Sequence, residues 1–383
     1  MNNSAVKIPF LDLQSQFESI REDIMDALDR VLASGQFVGG EWVEQFEEQF
    51  ARFVGSRYAI GVSSGTSALE LALKAAQVAA SDEVIVPANS FFATAEAVSN
   101  VGAKPVFADV DPRTYHLDVN SVERRITAKT RAIIPVHLYG WAMDMTALQE
   151  LAERRGLTII EDAAQAHGTE RDGVQVGGSG RLTCFSFYPG KNLGAYGDAG
   201  IVTCNDPAQA ERLRLLREHG SPAKYVHLIV GTNARLDAIQ AAALSVKLRH
   251  LPEWNARRVQ NARAYAASLR GTSIHVPEVP PDREHNFHLF VVRVKNRDAL
   301  RRHLRECGIG TGIHYPEPLH LTPAYRNELA YARQDSLPVS EALAPEILSL
   351  PMYPELSDSQ IEQVSEALLE FTEQAENMQR IVA

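Results

Sequence analysis

The feature that most constrains this chain of 383 residues is a series of short apolar runs between residues 58 and 204. Several runs are apolar at successive positions, which is typical of strands buried on both faces of a parallel sheet. Helical patterns such as SALELALKAAQ at 67–77 separate the runs. The alternation predicts an α/β fold with a mostly parallel sheet. The runs are YAIGV (58–62), EVIVP (83–87), KPVFADV (104–110), RAIIPVHLY (131–139), LTIIED (157–162), CFSFY (184–188) and GIVTC (200–204).

One connection between these strands is shorter than the others. Only residues 189–199 link CFSFY to GIVTC. A parallel crossover usually needs about a dozen residues or more, commonly with a helix. We therefore expect the strand at 200–204 to run antiparallel to the strand at 184–188, in a mixed sheet.

The pattern changes after residue 204. Helical patterns cover 208–219, which stops at Gly220, and 235–270, with an interruption expected at Pro252. A strand is predicted at 286–295 and a helix at 298–307. We expect a large domain over residues 1–245, which includes an N-terminal helical segment, and a smaller α+β domain over residues 246–383.

The last predicted helix has a recognisable start. Ser357 and Gln360 have the spacing of a capping box. Beyond them, Ile361, Val364, Leu368 and Phe371 fall on one helical face. The spacing predicts an amphipathic helix that packs against the smaller domain.

Composition excludes several classes of protein. With 38 Lys and Arg against 48 Asp and Glu, the formal net charge is −10, whereas a dedicated nucleic-acid binder usually carries a basic face. Neither the chain start nor any internal run has the apolar character of a signal peptide or a membrane span. The cysteines and histidines show no metal-ligand spacing, and no G-x-G-x-x-G motif follows a strand. We expect a cytoplasmic protein with free thiols that binds no metal, nucleic acid or membrane.

Three segments at strand ends carry candidate chemistry. In SSGTSALELAL (63–73), small residues open a helix, so the backbone N–H groups of Gly65 and Thr66 are candidate phosphate donors. Ordinary helix capping by Ser or Thr is the alternative. In EDAAQAHG (161–168), Asp162 stands at the carboxyl end of a strand, where open α/β sheets bind ligands. A helix N-cap is the alternative for this carboxylate.

The third segment is FSFYPGKN at 185–192, in which Lys191 follows a buried strand and a Pro-Gly turn. A lysine that loses hydration there has a lowered pKa, which is the condition for an imine-forming lysine. A solvated loop lysine is the alternative. Together the three segments supply a phosphate cradle, an acid for a ring nitrogen and an imine-forming lysine. Those are the parts that a pyridoxal phosphate site needs.

A resemblance to a known family covers nearly the whole chain. The chain resembles the DegT/DnrJ/EryC1/StrS family of pyridoxal-phosphate-dependent aminotransferases of nucleotide-linked keto sugars. The segments that carry the resemblance are FLDLQSQF, FVGGEWVEQFE, SSGTSALELAL, VIVPANSFFATAEAV, EDAAQAHG, FSFYPGKNLGAYGDAG, NARLDAIQAA and GIHYPEPLHLTPAY.

The resemblance implies a role for each matching cofactor residue. Lys191 matches the lysine that forms the imine with the cofactor and then moves a proton between Cα and C4′. Asp162 matches the partner of the pyridinium nitrogen, and Gln165 matches a residue near the phenolic oxygen. Phe91 matches the aromatic side chain that stacks on the pyridine ring, where relatives often have Tyr or Trp.

The remaining matches concern the phosphate and the substrate. Gly65 and Thr66 match backbone donors to the phosphate, and Ser186 matches a hydroxyl donor to it. Asn233 matches a phosphate ligand that the neighbouring subunit delivers. By the same resemblance, Arg235 is a contact for sugar or diphosphate across the dimer, and His314 and Tyr315 are a substrate-facing pair. Ordinary structural roles remain the alternative for these last three residues.

The resemblance also implies fold and activity. The fold is that of aspartate aminotransferase (fold type I), a seven-stranded mixed sheet with one antiparallel strand and a smaller C-terminal α+β domain. The activity is transfer of the amino group of L-glutamate to a keto sugar on a nucleoside diphosphate, with a 3-ketone favoured over a 4-ketone, by a homodimer with shared active sites. A sugar dehydratase on the same fold and a non-catalytic regulatory protein that binds pyridoxal phosphate are the alternatives. Relatives of the dehydratase kind replace the lysine with histidine.

Overall fold

The computed structural model describes residues 7–280, 283–327 and 336–382. The expectation about the chain start therefore lies partly outside the described residues. The strands are β1 (Tyr58–Val62), β2 (Glu83–Pro87), β3 (Lys104–Ala108), β4 (Thr130–Ile133), β5 (Thr158–Asp162), β6 (Glu170–Arg171), β7 (Val174–Gln175), β8 (Leu182–Ser186), β9 (Gly200–Cys204), β10 (Phe290–Arg293) and β11 (Ile347–Leu350). The helices are α1 (Leu13–Ser19), α2 (Arg21–Ser34), α3 (Glu41–Val54), α4 (Gly65–Ala75), α5 (Ala93–Asn100), α6 (Val119–Arg125), α7 (Thr146–Arg155), α8 (Pro207–Arg217), α9 (Ala238–Ser268), α10 (Arg297–Glu306), α11 (Pro323–Arg326), α12 (Pro338–Leu343) and α13 (Asp358–Val382).

Seven of the described strands form one sheet in the order β1-β9-β8-β5-β4-β2-β3. Strand β9 pairs antiparallel with both β1 and β8, whereas the other neighbours pair in parallel. The prediction of a mixed sheet with GIVTC as its reversed strand is confirmed. Because β1, β2, β5 and β8 all run in one direction, their carboxyl ends lie at the same edge of the sheet.

Helices cover both faces of this sheet, which is why its strands are apolar at successive positions. On one face, Leu69 and Leu73 of α4 pack in a cluster with the strand residues Ile60 and Val202. On the other face, Phe46 and Phe50 of α3 pack against strand β8 and the residues that follow it. The buried core therefore holds the sheet edge, and the segments that leave it, in place.

The long helix α9 contradicts one prediction from the sequence. Pro252 lies inside this helix and does not interrupt it. A proline costs a backbone hydrogen bond, but burial of the helix on both sides of it holds the helix together. Leu248 and Leu251 are buried before Pro252, and Trp254, two residues after it, is also buried. The expected break was wrong because local propensity was outweighed by packing.

The C-terminal part of the chain builds a second, two-stranded sheet from β10 and β11, which pair antiparallel. Helix α13 packs on it through Ile361, Val364 and Leu368. The capping box is confirmed, since the Ser357 backbone N–H donates to Gln360 Oε1 at 2.9 Å and the Gln360 N–H donates to Ser357 Oγ at 3.2 Å. Helix α9 runs without a break past residue 246, so the proposed boundary there stays a prediction.

No helix among the described residues is long and apolar enough to cross a membrane.

Candidate active site

A cavity of about 620 Å³ opens at the sheet edge where β1, β2, β5 and β8 end. It is enclosed further by the start of α4 and by residues from the C-terminal part of the chain. Most of the residues that the sequence singled out meet in its wall. These are Gly65, Thr66, Phe91, Asp162, Gln165, Ser186, Lys191, His314 and Tyr315.

Asp162 is the last residue of β5 and is buried, with 5% of its surface exposed. Its Oδ2 accepts a hydrogen bond from Thr94 Oγ1 at 2.8 Å, and its Oδ1 accepts one from the Ala164 N–H at 3.1 Å. Burial raises the pKa of Asp162, although these hydrogen bonds and the charge of Lys191 oppose the rise. No helix begins within residues 163–168, so the helix N-cap interpretation is wrong and the carboxylate faces the cavity.

Lys191 follows a turn at Pro189 and Gly190, where its backbone N–H donates to the Tyr188 carbonyl oxygen at 2.8 Å. The side chain is half-buried and faces the cavity. Burial lowers the pKa of Lys191 to about 8, against the opposing charge of Asp162. The solvated-loop interpretation is therefore wrong. Within the described part of the chain, Lys191 Nζ has neither a hydrogen-bond acceptor nor an ion-pair partner, so its amine is left for a ligand.

The start of α4 lies beside the end of β8. Ser64 Oγ accepts a hydrogen bond from the Ser67 N–H at 3.0 Å, so Ser64 is the N-cap of this helix. The backbone N–H groups of Gly65 and Thr66 find no acceptor among the described residues. A Cβ on Gly65 would lie 2.5 Å from Ser186 Cβ, so only glycine allows this approach. Capping by Ser64 and anion binding by the next two residues are therefore compatible.

The opposite wall contains polar and aromatic groups. Gln165 Oε1 accepts from the Tyr139 N–H at 2.5 Å, and Gln165 Nε2 donates to Tyr315 Oη at 3.3 Å. The rings of Phe91 and Tyr315 are 5.7 Å apart at their centroids. His314 Nδ1 lies 2.8 Å from Ser349 Oγ. The wall thus offers two aromatic rings, tilted by 41° to each other, beside a hydrogen-bonded pair.

These residues fit pyridoxal phosphate by their chemistry. Within the described ranges, the amine of Lys191 and the N–H groups at the start of α4 have no partner, and no cation contacts the buried carboxylate of Asp162. The Ser186 hydroxyl lies next to those N–H groups. An aldehyde, a cationic ring nitrogen and a phosphate are the complementary groups. The cavity therefore has one matching group for each reactive part of the cofactor.

Two predicted site residues do not line this cavity. Asn233 is exposed, and Arg235 Nη1 forms an ion pair with Glu218 Oε1 at 2.7 Å. Neither residue lies in the wall that Lys191 and Asp162 share. The prediction that both serve the site of a second copy stays a prediction.

Four further residues at or beside the cavity were not predicted from the sequence, although three of them lie in segments that resemble the family. Thr94, which bonds Asp162, lies 68 residues before it in the chain. His288 lies in a stretch that the sequence assigned to a strand, and Phe10 comes from the chain start. Tyr188 stands three residues before Lys191 in the recognised motif and was overlooked there.

Comparison with known proteins gives a family match over most of the chain. The model of the DegT/DnrJ/EryC1/StrS aminotransferase family matches residues 18–369.

Individual relatives match over similar lengths. The erythromycin biosynthesis sensory transduction protein EryC1 of Saccharopolyspora erythraea is 50% identical over 351 residues, which is 91% of this chain and 95% of that protein. The dTDP-3-amino-3,4,6-trideoxy-alpha-D-glucose transaminase of Streptomyces venezuelae is 47% identical, over 97% of each chain. The crystal structure of NtdA from Bacillus subtilis with bound cofactor PMP has a TM-score of 0.89 at 32% identity, and it covers 97% of this chain and 86% of its own.

Proposed function

The chain belongs to the DegT/DnrJ/EryC1/StrS aminotransferase family, and on this premise we propose that it transfers the amino group of L-glutamate to a keto sugar on a nucleoside diphosphate. It is a pyridoxal-phosphate-dependent aminotransferase. The observation that carries the proposal is one cavity that unites a lysine, a buried carboxylate and backbone N–H groups at a helix start, where neither the lysine amine nor those N–H groups have a partner in the part of the chain that the structure describes. The name of the 47% identical relative, a 3-amino-sugar transaminase, supports a 3-ketone as the acceptor.

Pyridoxal phosphate, when bound, supplies a carbonyl carbon that condenses with amines and a ring that takes up electrons. Lys191 Nζ would hold the cofactor through that carbonyl carbon, with loss of water, and the amine, when released again, would take up and return a proton at the reacting carbon. The Asp162 carboxylate holds a proton on the ring nitrogen. Gly65 and Thr66 N–H groups and the Ser186 hydroxyl bind the phosphate, and they orient the cofactor.

The other side chains complete the proposed site. Phe91 covers one face of the cofactor ring, and Gln165 donates a hydrogen bond to the phenolic oxygen. His314 and Tyr315 contact the sugar. Arg235 contacts the sugar or diphosphate of a neighbouring site, where a charge-assisted hydrogen bond is stronger than a neutral one.

Neither alternative is favoured by the residues present. A dehydratase of this fold has histidine where this chain has Lys191. A regulatory role does not require a lysine whose pKa is lowered to about 8 in a cavity with Asp162. The same holds for the sensory transduction in the name of the relative from Saccharopolyspora erythraea. We therefore assign catalysis to this chain.

The acceptor is tested on the enzyme that glutamate has loaded with amine. Acceptors are then offered one at a time, and return of the original visible spectrum is followed. We expect return with a nucleotide-linked 3-keto sugar, and slower return with a 4-keto sugar. Rapid return with pyruvate or oxaloacetate, and none with any nucleotide sugar, would refute the substrate class and leave only the cofactor chemistry.

The active unit is proposed to be a homodimer with shared sites. Asn233 is exposed and lies outside the cavity of its own chain. The preceding loop exposes large apolar side chains, including Tyr225 at 83% and Val230 at 95%. Such a surface favours burial against a second copy.

Mixing two inactive variants tests the shared site. In a heterodimer of Lys191→Ala and Asn233→Ala chains, one site combines both intact residues and the other has both lesions. An equal mixture that re-equilibrates should recover about a quarter of wild-type activity, because half of the dimers are mixed. Heterodimers without activity, or active monomers, would contradict the proposal.

A cytoplasmic location is also proposed. Cys184 and Cys204 are buried free thiols, and Cys307 is an exposed one. Free thiols, one of them at the surface, are ordinary in a reducing compartment.

A further inference from the structure

Tyr139 contacts residues of the cavity wall from behind, and the proposed function gives it no task. It is buried, with 3% of its surface exposed, and it is not among the described residues that line the cavity. It lies in the tight turn Leu138–Gly140 between β4 and α7. Its φ of 61° is a left-handed conformation that bulky residues rarely adopt. From this turn, one residue reaches three segments that are distant in the sequence.

Three hydrogen bonds connect Tyr139 to the two sides of the cavity wall. Its backbone N–H donates to Oε1 of Gln165, which follows β5 of the large sheet, at 2.5 Å. Its Oη donates to the His314 carbonyl oxygen at 2.5 Å, and its own carbonyl oxygen accepts from the Leu289 N–H at 3.3 Å. His314 and Leu289 come from the C-terminal part of the chain and line the cavity, as Gln165 does. Tyr139 therefore connects the edge of the large sheet to two C-terminal segments that close the cavity.

The bond to Gln165 determines which end of its amide faces Tyr315. A backbone N–H can only donate, so the amide atom that faces Tyr139 must be the oxygen. The amide nitrogen then lies 3.3 Å from Tyr315 Oη. Because this nitrogen can only donate, Tyr315 Oη accepts from it, and the hydroxyl proton of Tyr315 points elsewhere. No described residue accepts that proton, and Tyr315 lines the cavity, so its hydroxyl is a donor for a ligand.

The Tyr315 hydroxyl keeps its proton in this setting. Burial, and after it the negative charge of Asp162, raise the pKa of Tyr315 above its usual range. A neutral hydroxyl that already accepts from Gln165 has one hydrogen to donate, and the oxygens of a sugar or a phosphate accept hydrogen bonds. The position of the Tyr315 ring therefore decides whether this hydrogen reaches a bound nucleotide sugar.

We propose that Tyr139 is a positioning residue that presents the Tyr315 hydroxyl as a hydrogen-bond donor to the keto sugar substrate. This inference rests on the proposed function, in which Tyr315 contacts the sugar. The Tyr139 hydroxyl holds the backbone at His314, the residue before Tyr315. The Tyr139 N–H holds the Gln165 amide in the orientation that leaves the Tyr315 proton for a ligand.

Tyr115 is a matched control for Tyr139. It also has 3% of its surface exposed and a positive φ, of 62°, and its ring packs against that of Tyr139 with the centroids 5.2 Å apart. Its Oη, however, has no hydrogen-bond partner among the described residues. The two tyrosines thus differ in what their hydroxyl groups contact. Changing Tyr115 to Phe removes a hydroxyl from the same cluster without breaking a hydrogen bond to the cavity wall.

The test follows the two half-reactions separately in Tyr139→Phe, which keeps the ring and the backbone N–H. Enzyme that glutamate has loaded with amine is mixed with increasing concentrations of the nucleotide-linked keto sugar that the wild type accepts, and return of the visible spectrum is timed. We expect the apparent dissociation constant of the sugar to rise about 3–10-fold, with the limiting rate within about twofold of wild type. The half-reaction with glutamate should be unchanged. Tyr115→Phe should leave both half-reactions as they are.

Tyr315→Phe shows whether Tyr139 acts through Tyr315. It keeps the ring beside Phe91 and removes the hydroxyl, so the dissociation constant of the sugar should rise at least as much as in Tyr139→Phe. In the double variant, Tyr139→Phe should add less than about twofold, because the group that it positions is gone. Effects that multiply, an unchanged dissociation constant in Tyr139→Phe, or an equal slowing of the glutamate half-reaction would each overturn the inference.

A wild-type measurement guards against a variant that fails to fold. In a crystal structure of the wild type with its amino-sugar product bound, Tyr315 Oη should lie within hydrogen-bond distance of a sugar or phosphate oxygen, and Tyr139 Oη should still contact the His314 carbonyl oxygen. The absence of either contact would also overturn the inference. The choice of amine acceptor separates the two levels. If the loaded wild type reacts with a nucleotide-linked keto sugar, such results refute only the role of Tyr139, whereas reaction with keto acids alone refutes both proposals.

Discussion

Glu161 and Asp162 are neighbours at the end of β5, yet their carboxylates lie in opposite surroundings. Successive strand residues point to opposite faces of a sheet. Glu161 lies in the wall of a separate cavity of about 510 Å³, and Asp162 in the wall of the proposed cofactor cavity. Glu161 accepts from Ser179 Oγ at 2.9 Å and Arg181 Nε at 2.6 Å, and its other oxygen lies 2.9 Å from His137 Nε2.

The two carboxylates differ in the balance between burial and partners. Burial alone would raise the pKa of Glu161, but the bonds and charges of His137 and Arg181 outweigh it and lower the pKa to about 2. Asp162 has no cation in contact within the described ranges, so burial raises its pKa. On one face of the strand end, the carboxylate of Glu161 is thus paired with side chains of the protein. On the other face, the carboxylate of Asp162 remains available to a ligand. Stability and binding are divided between adjacent residues.

The strongest test of the binding face removes the lysine that shares it with Asp162. Lys191→Ala should abolish turnover and the visible absorbance of the lysine-bound cofactor. The chain should stay folded, because the lost ammonium is half-buried and has no hydrogen bond to any described residue. Lys247→Ala is a matched control, since the pKa of Lys247 is also lowered to about 8 but its Nζ donates to the Gly194 carbonyl oxygen at 2.8 Å. It should lose about 1–3 kcal/mol of stability and keep covalent cofactor binding, as read by borohydride trapping. Trapping at a lysine other than Lys191 would contradict the assignment.

The next test neutralises the carboxylate of the binding face. Asp162→Asn keeps the shape of the side chain but cannot hold a proton on a ring nitrogen by its charge. We expect kcat to fall by about 10²–10³-fold or more, while the unfolding free energy changes little. Turnover and urea unfolding are measured on the same preparation. Near-normal turnover would show that another group has this role.

Converting the carboxylate of Glu161, on the other face of β5, to an amide should reduce stability rather than turnover. Glu161→Gln leaves Arg181 and His137 around a neutral amide, and breaking a buried ion pair is costly. We expect the unfolding free energy to fall by about 2–4 kcal/mol, with kcat within a few-fold of wild type where the protein is folded. Loss of turnover without loss of stability would mean that the division between the two faces is wrong.

The sequence predicted the fold well because its signals are local. Apolar runs and the short link at 189–199 were enough for the mixed sheet, and the spacing from Ser357 was enough for the last helix. Pro252 was misjudged because packing along α9, which involves residues distant in sequence, outweighs local propensity.

The site was predicted in part, and its limits have a physical cause. Asp162 and Lys191 follow strands, and strand ends of one direction meet at one edge, so their meeting could be foreseen. Thr94 reaches Asp162, and His288 reaches the cavity, from positions that do not directly follow a strand, and only the folded chain brings them there. The alternation along β5 places Glu161 and Asp162 on different faces, but their partners decide the sign of each pKa shift. Whether Asn233 and Arg235 belong to the site depends on a second chain and stays a prediction.

The smallest expected effect concerns pH, and its sign differs between the two carboxylates. The folded-state pKa of Glu161, about 2, lies below its ordinary value of 4.5. The unfolded chain therefore binds a proton first as the pH falls, and the stability from Glu161 is present above about pH 4.5 and lost below it. By pH 3.5 the wild type should have lost about 1 kcal/mol of its advantage over Glu161→Gln.

For Asp162 the folded-state pKa is raised above its ordinary value of 3.8, so the folded chain binds the proton first. Lowering the pH through this range should improve the stability of the wild type relative to Asp162→Asn. Urea unfolding of the three cofactor-free chains between pH 6 and 3.5 measures both trends, and slopes of the same sign would show that the two faces do not differ as the contacts indicate.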